Sequence, residues 1–300
     1  GSVLGPTLFL LYVNDMPRSE KCLLVQYADD TSIVASVSSQ SDADHLQLYL
    51  AEVEVWTTAQ HLRLSTSKSC VMRFTNSKKR DKPSYTAGGA PLAISDHLTI
   101  LGVTFSRNLD FSTHIATVVA TARRTLGFVS RVTRPSGPAA LRTLYTALVL
   151  PSLEYCCAVW SPPQQHLLNR LESVQRRASR IICARIPGHT DISYSARLKV
   201  LGWRPLDQRR RISRVRVLCH LLDGSLPGNR LSALVRVSKS TGQPQPLRGR
   251  TLRHSESLLP AAIRDFLTMP LAARSPLPRE PEESQALCRL FARQMSSSQG

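Results

Sequence analysis

Asp29 and Asp30 stand side by side in the segment Tyr27-Ala28-Asp29-Asp30. Two carboxylates held that close raise each other's pKa unless a cation sits between them, so the pair could hold a divalent metal. Mg²⁺ suits such oxygen donors and keeps positions open for phosphate groups. In two-metal phosphoryl transfer, carboxylates clamp ions about 3.5–4 Å apart, one activating the attacking hydroxyl and the other stabilising the leaving oxygen. An Asp-Asp turn by itself also describes a solvated loop, so its surroundings decide the chemistry.

Leu23, Val25 and Tyr27 alternate before the pair, and Ile33 and Ala35 after it. That period predicts a β-hairpin from Cys22 to Ala35 with Ala28, Asp29 and Asp30 at its tip. Ser41 and Asp44 predict a capped helix start, with Leu46, Leu50 and Val53 on one face to about Gln60. An extended segment, Val71 to Thr75, precedes a breaker-rich linker over Asn76 to Pro91, and Leu98 to Phe105 reads as a strand-pair region. After Phe111 the pattern changes to helices separated by Pro and Gly. One helix is expected from Gln164 to Ala184, with Leu167, Leu171, Val174, Ala178 and Ile181 as its apolar stripe and Arg176 and Arg180 on the far side. Another follows Pro205, with Ile212, Val215, Cys219 and Leu222 buried and Arg210 and Arg214 opposite. Residues 223–253 read as a loose connection, followed by helical stretches at Ala261 to Leu267 and Glu283 to Met295 and a frayed tail from Ser296.

The 300 residues carry a net charge of +18 and are 42% hydrophobic, which excludes a disordered chain. Residues 1–110 hold 10 basic and 11 acidic side chains, against 29 and 10 in residues 111–300, and 32 of all the basic residues are Arg. Arg's planar fork suits phosphate, so a polyanionic partner is expected for the second part. Trp56, Trp160 and Trp203 fall on helical stripes and read as core. Seven cysteines form neither a disulfide framework nor a zinc pattern, and the eight histidines show no metal spacing, which implies an intracellular, reducing compartment, nucleus and cytoplasm not being distinguished. The apolar run from Val3 to Val13 contains Pro6, and the one from Leu144 to Trp160 contains Pro151 and Glu154. Neither reaches the ~20 residues of a membrane span, and no secretory signal is visible.

Four motifs in order carry a family resemblance. Gly1-Ser2-Val3-Leu4-Gly5-Pro6, the apolar run Thr7 to Val13, Asn14-Asp15-Met16-Pro17 and Tyr27-Ala28-Asp29-Asp30 closely resemble successive palm motifs of the reverse transcriptases of non-LTR (LINE-type, jockey-like) retrotransposons. Leu62-Arg63-Leu64 with Lys68-Ser69 resembles the next motif, although Ser65 stands where the family often has Asn. Leu101-Gly102-Val103-Thr104-Phe105 is similar to the primer grip, and Asp110 to Ile115 to the start of the thumb. Pro151 to Trp160 and Leu171 to Ile182 are similar to the helical region after the palm.

The resemblance implies that Asp29 and Asp30 are catalytic metal ligands for Mg²⁺ and that Lys68 donates a proton to the leaving pyrophosphate. It implies that Gly1, Ser2, Tyr27 and Ala28 shape the nucleotide and template site, and that Leu101, Gly102 and Val103 grip the primer. The charge pattern adds Arg176, Arg180, Arg210 and Arg214 as contacts to a nucleic-acid backbone. The partners implied are an RNA template, a DNA primer and deoxynucleoside triphosphates, with no membrane and an oligomeric state left open. The fold expected is α+β: a partial right-hand polymerase palm, with an antiparallel hairpin and small sheet backed by helices, then an all-α thumb and a helical C-terminal region. The divisions expected are 1–110, 111–222 and 223–300. The family's first palm motif, with its upstream metal-binding Asp, and its fingers would precede Gly1, and Asp15 does not replace that Asp. The expectation is therefore a fragment of an RNA-directed DNA polymerase, inactive by itself. Alternatives are a non-catalytic nucleic-acid-binding remnant or a helical interaction protein.

Overall fold

The computed structural model describes residues 2–75, 83–226, 229–248, 251–270, 274, 277–278 and 280–297. They form two compact units, 1–98 and 99–300, which combine many helices with small two-stranded sheets.

In the first unit, helix α1 (Gly5–Tyr12) starts with Pro6 in its first turn, where the missing N–H costs nothing. Strands β1 (Cys22–Tyr27) and β2 (Asp30–Ala35) pair antiparallel around a two-residue loop, Ala28-Asp29. Helix α2 (Gln40–Ala59) is capped at Ser39, two residues before the Ser41 expected from sequence. Ser39 is the residue with extended backbone. Its hydroxyl accepts from the Asp42 N–H, and the Asp42 carboxylate accepts from the N–H groups of Ser38 and Ser39. Hydrogen bonds to the carboxylate from the Ser38 N–H first, then from the Ser39 hydroxyl and the Ser39 N–H, hold the Asp42 carboxyl below its ordinary range.

The period-two reading of the hairpin needs one refinement. Direct cross-strand partners share a face, so Cys22, Leu24, Ile33 and Ala35 lie together and join Met16, Leu46, Tyr49, Val53 and Trp56 of the unit's small core. Leu23, Val25 and Tyr27 belong to the other face with Val34, and Val25, Tyr27 and Val34 are exposed. The hairpin is thus apolar on both faces, and only one is covered. Helix α1 is similar: none of its residues is buried, and Leu4, Leu8 and Leu11 at its N-cap and along it are exposed.

Four short strands follow: β3 (Cys70–Val71), β4 (Thr86–Ala87), β5 (Ala90–Pro91) and β6 (Ala93–Ile94). β3 runs parallel to β6, and β4 and β5 close on Gly88-Gly89, both with the positive φ that a tight two-residue loop demands. β7 (His97–Ile100) and β8 (Val103–Ser106) form a last hairpin where the two units meet in sequence.

The second unit is helical. Its main core brings together α3 (Ser112–Val132), α4 (Gly137–Leu144), α5 (Leu150–Glu154), α6 (Cys157–Trp160) and α7 (Gln165–Cys183). Between α4 and α5 the helix widens to a π segment over Tyr145–Val149, one residue short of Pro151, which has no N–H to continue the regular ladder. Helices α8 (Tyr194–Leu201) and α9 (Leu206–Leu222) follow, then α10 (Asn229–Ser232), α11 (Leu252–Ser255), α12 (Leu258–Leu267) and α13 (Pro281–Ser297). Val215, Leu218 and Cys219 of α9 share a second core with Ala262, Ile263 and Phe266 of α12 and with Leu287, Cys288 and Phe291 of α13.

Charged pairs orient α9. The Glu172 carboxylate of α7 accepts from the Leu206 N–H at its first turn, where a negative charge favours a helix. Glu154 forms a two-pronged pair with Arg209. Asp265 of α12, 4% exposed, takes Arg211 Nε at 2.8 Å on one oxygen and Arg214 at 2.7 and 3.0 Å on the other. Removing that carboxylate strands two guanidinium groups. Asp265→Ala is therefore expected to lower stability by about 3–5 kcal/mol. Urea unfolding monitored by circular dichroism measures it, and a loss under about 1 kcal/mol would contradict the clamp.

Candidate functional site

Asp29 occupies the second position of the β1–β2 loop, and Asp30 opens β2 directly opposite Tyr27. Ala28 has φ +52, an uncommon conformation for a residue with a side chain, and it lets two residues reverse the chain. Asp29 and Asp30 are both exposed, and Tyr27 is 65% exposed. Asp30 shares the uncovered face of the hairpin with Tyr27 and Val25. Among the described residues neither carboxylate enters a salt bridge, and no group of three or more His, Cys, Asp or Glu residues is arranged to hold a metal. Among the described residues the pair therefore offers two carboxylates in succession without a third.

Ser2 uses its hydroxyl locally, accepting from the N–H groups of Leu4 and Gly5 where α1 begins. Gly1 lies outside the described residues. Lys68 is exposed at the end of a turn, its N–H bonded to the Ser65 carbonyl.

Leu101 and Gly102 form the loop between β7 and β8, with φ +47 and +78, while Val103 is buried in the main core of the second unit. Two positive φ values in succession mark the hairpin turn whose twist matches the strands, and for Leu101 this is a strained conformation that its surroundings must hold. They do so through residues assigned no role by the sequence reading. Tyr155 Oη donates to the Leu101 carbonyl at 2.8 Å, and the Trp160 indole N–H donates to the Tyr155 carbonyl at 2.7 Å. Trp160 meets His114 edge to face at 5.3 Å, and His114 Nδ1 accepts from the Thr104 N–H. The circuit runs from loop to helices and back to β8. A signal was present, since Tyr155 and Trp160 lie in the conspicuous segment Pro151 to Trp160. Nothing local pairs them with Leu101.

The four arginines read as backbone contacts divide into two kinds. Arg176 and Arg180 are exposed on α7, and Arg176 stacks over the Tyr194 ring at 5.0 Å. Arg210 and Arg214 are buried, Arg210 to 1% exposure, and the expectation that they face solvent is corrected. The reason lies in packing: α9 is covered by α6 and α7 as well as by α12 and α13, so it has no wholly exposed face. Arg214 is consumed by Asp265 and Ser161. Arg210 approaches Asp207 at 3.8 Å, and among the described residues none of its three guanidinium nitrogens has a hydrogen-bond partner.

Residues 1–105 match the reverse transcriptase (RNA-dependent DNA polymerase) family. It is 28% identical over 200 residues to the RNA-directed DNA polymerase from mobile element jockey of Drosophila funebris, and 28% identical over 194 residues to that of Drosophila melanogaster. Each alignment covers 61% of this chain and 21% of the relative, so the chain spans about a fifth of the length of the curated relatives it matches. No solved structure matches. No helix among the described residues is long and apolar enough to cross a membrane.

Two measurements follow from this geometry. Burial holds the His114 pKa below its ordinary 6.5, so the neutral ring that accepts from Thr104 is favoured in the fold. This contribution is complete above about pH 6.5 and is lost as pH falls through the lower folded value. Wild-type stability should therefore drop more steeply below pH 6.5 than that of His114→Phe, in urea titrations at pH 5 to 8. Parallel slopes would show that His114 does not titrate with folding. The second concerns the arginines: Arg176→Glu with Arg180→Glu should weaken RNA binding and flatten its salt dependence. Arg210→Met should leave RNA affinity unchanged and stability equal or higher, because a buried charge without hydrogen bonds is replaced by an apolar chain. A loss of RNA affinity in correctly folded Arg210→Met would return Arg210 to the interface.

Proposed function

We propose that this chain is part of an RNA-directed DNA polymerase in which Asp29 and Asp30 provide part of the metal site for nucleotidyl transfer. The observation that carries this reading is the pair of exposed, unpaired carboxylates at a tight hairpin loop, inside the segment that matches the reverse transcriptase family. Adjacent carboxylates kept in water and without a basic partner suit a hard divalent cation such as Mg²⁺. Bound there, Mg²⁺ would supply charge stabilisation as a primer 3′ hydroxyl attacks the α-phosphate of a deoxynucleotide. Tyr27 and Ala28 set the direction of the two carboxylates, and Tyr27, with Ser2 beside α1, borders the nucleotide. Leu101 and Gly102 bear on the primer, with Val103 anchoring their loop in the core and Tyr155 holding it as a positioning residue. Lys68 stands as the proton donor to pyrophosphate.

Uncovered apolar surface on α1 and on one face of the hairpin supports a larger polymerase body. Among the described residues no third carboxylate joins Asp29 and Asp30, so the chain by itself is expected to be inactive. The exposed arginines of α7 favour a second reading, in which this chain holds RNA without catalysis.

Primer extension separates the two. The 300-residue chain should not extend a primed RNA template. A longer polypeptide carrying the upstream palm and fingers should do so with Mg²⁺, and Asp29→Ala should abolish that extension, since metal-dependent charge stabilisation dominates phosphoryl transfer. Extension that survives Asp29→Ala would remove the hairpin from the metal site.

A further inference from the structure

Helices α9 and α13 enclose a cleft of about 900 Å³ within the second unit. Five arginines line it: Arg204 before α9, Arg209 and Arg216 on α9, and Arg289 and Arg293 one turn apart on α13. His220 also lines it, beside the Asp223 carboxylate at 3.5 Å. Glu154 is the sole carboxylate among the lining residues, and it is already engaged by Arg209. The remaining polar groups, Ser213, Ser284 and Gln285, are neutral. Arg216, Arg289 and Arg293 are exposed.

The basic groups are strung out rather than gathered. From Arg209 to His220 the lining follows α9 for eleven residues, about 16 Å at the helical rise. A single phosphate would engage only one end of such a row, whereas a strand with a charge at each nucleotide can engage its length. Among the described lining residues there is no Phe, Tyr or Trp, so bases would find no large ring to stack on. Guanidinium forks and hydroxyls instead match phosphate oxygens.

We propose that the α9–α13 cleft binds the phosphodiester backbone of one nucleic-acid strand, without base selectivity, through Arg216, Arg289 and Arg293. The proposal rests on the nucleic-acid reading of the chain and concerns a surface separate from the exposed face of α7. It was not visible as a feature of either helix, because each contributes only one wall.

The test uses the whole chain and a 20-nucleotide single-stranded RNA as probe. In Arg289→Gln with Arg293→Gln, both on the exposed side of α13, affinity should fall about tenfold or more, as expected for losing two charge-assisted contacts. The slope of log affinity against log salt should shrink by about 1.4, from about 0.7 per phosphate contact on a single strand. As a measurement independent of variants, arginine modification by phenylglyoxal, read by mass spectrometry, should show Arg216, Arg289 and Arg293 protected when RNA is added to the wild-type chain. If the double variant misfolds, protection decides alone. Unchanged affinity and slope in a folded variant, or no protection, overturns the proposal. So does inorganic tripolyphosphate protecting these arginines where RNA does not, which would make the cleft a small-anion site. Primer extension by the longer polypeptide is independent of all these outcomes, so failure of the cleft and failure of the polymerase reading can be told apart.

Discussion

Asp265 binding two guanidinium groups of α9 is the contact on which the second unit turns. A helix with Arg at 209, 210, 211, 214 and 216 cannot enter a core unless carboxylates from other elements meet it. Two do, Glu154 from α5 and Asp265 from α12, while Glu172 from α7 accepts from the Leu206 N–H at the helix start. Together these contacts tie α9 to three other helices. The second core forms on that footing, and Arg216 is left pointing along the wall shared with α13. Arg210 is the exception, buried beside Asp207 at 3.8 Å without a hydrogen bond among the described residues.

The two loops with proposed roles in catalysis share a physical feature. Ala28 and Leu101 both take positive φ, where a side chain is disfavoured, and each lies in a two-residue loop between paired strands. Tight loops project their side chains into solvent, which suits groups meant to meet a substrate. Their support differs: the loop at Leu101 is held by the Tyr155 hydroxyl, while the loop at Ala28 depends on the β1–β2 ladder. Strain at both loops is tolerated because the surrounding hydrogen bonds define the chain path on either side.

Much of the local structure was legible. The hairpin from Cys22 to Ala35, the helix at Gln165–Cys183 and the helix after Pro205 were readable from periodicity and breakers, because strand alternation and helical stripes are short-range consequences of which side chains leave water. The cap of α2 was misread by two residues since several Ser and Asp lie close together, and only backbone geometry selects Ser39. The residues that set the Leu101 loop were not readable, as Tyr155 is 54 positions away.

By itself, the sequence determined the adjacent carboxylates, their hairpin, the order of motifs and the concentration of Arg in the second part, all of which depend on neighbours along the chain. Tertiary structure alone decided which arginines meet solvent. A helix looks amphipathic from its own residues only if it packs on one side, and α9 packs on several, so Arg210 and Arg214 turned inward while Arg176 and Arg180 stayed exposed. The basic cleft likewise exists only because α13, more than sixty residues downstream, lies against α9. Charge is a property of residues; where it is felt depends on which helices exclude water from between them.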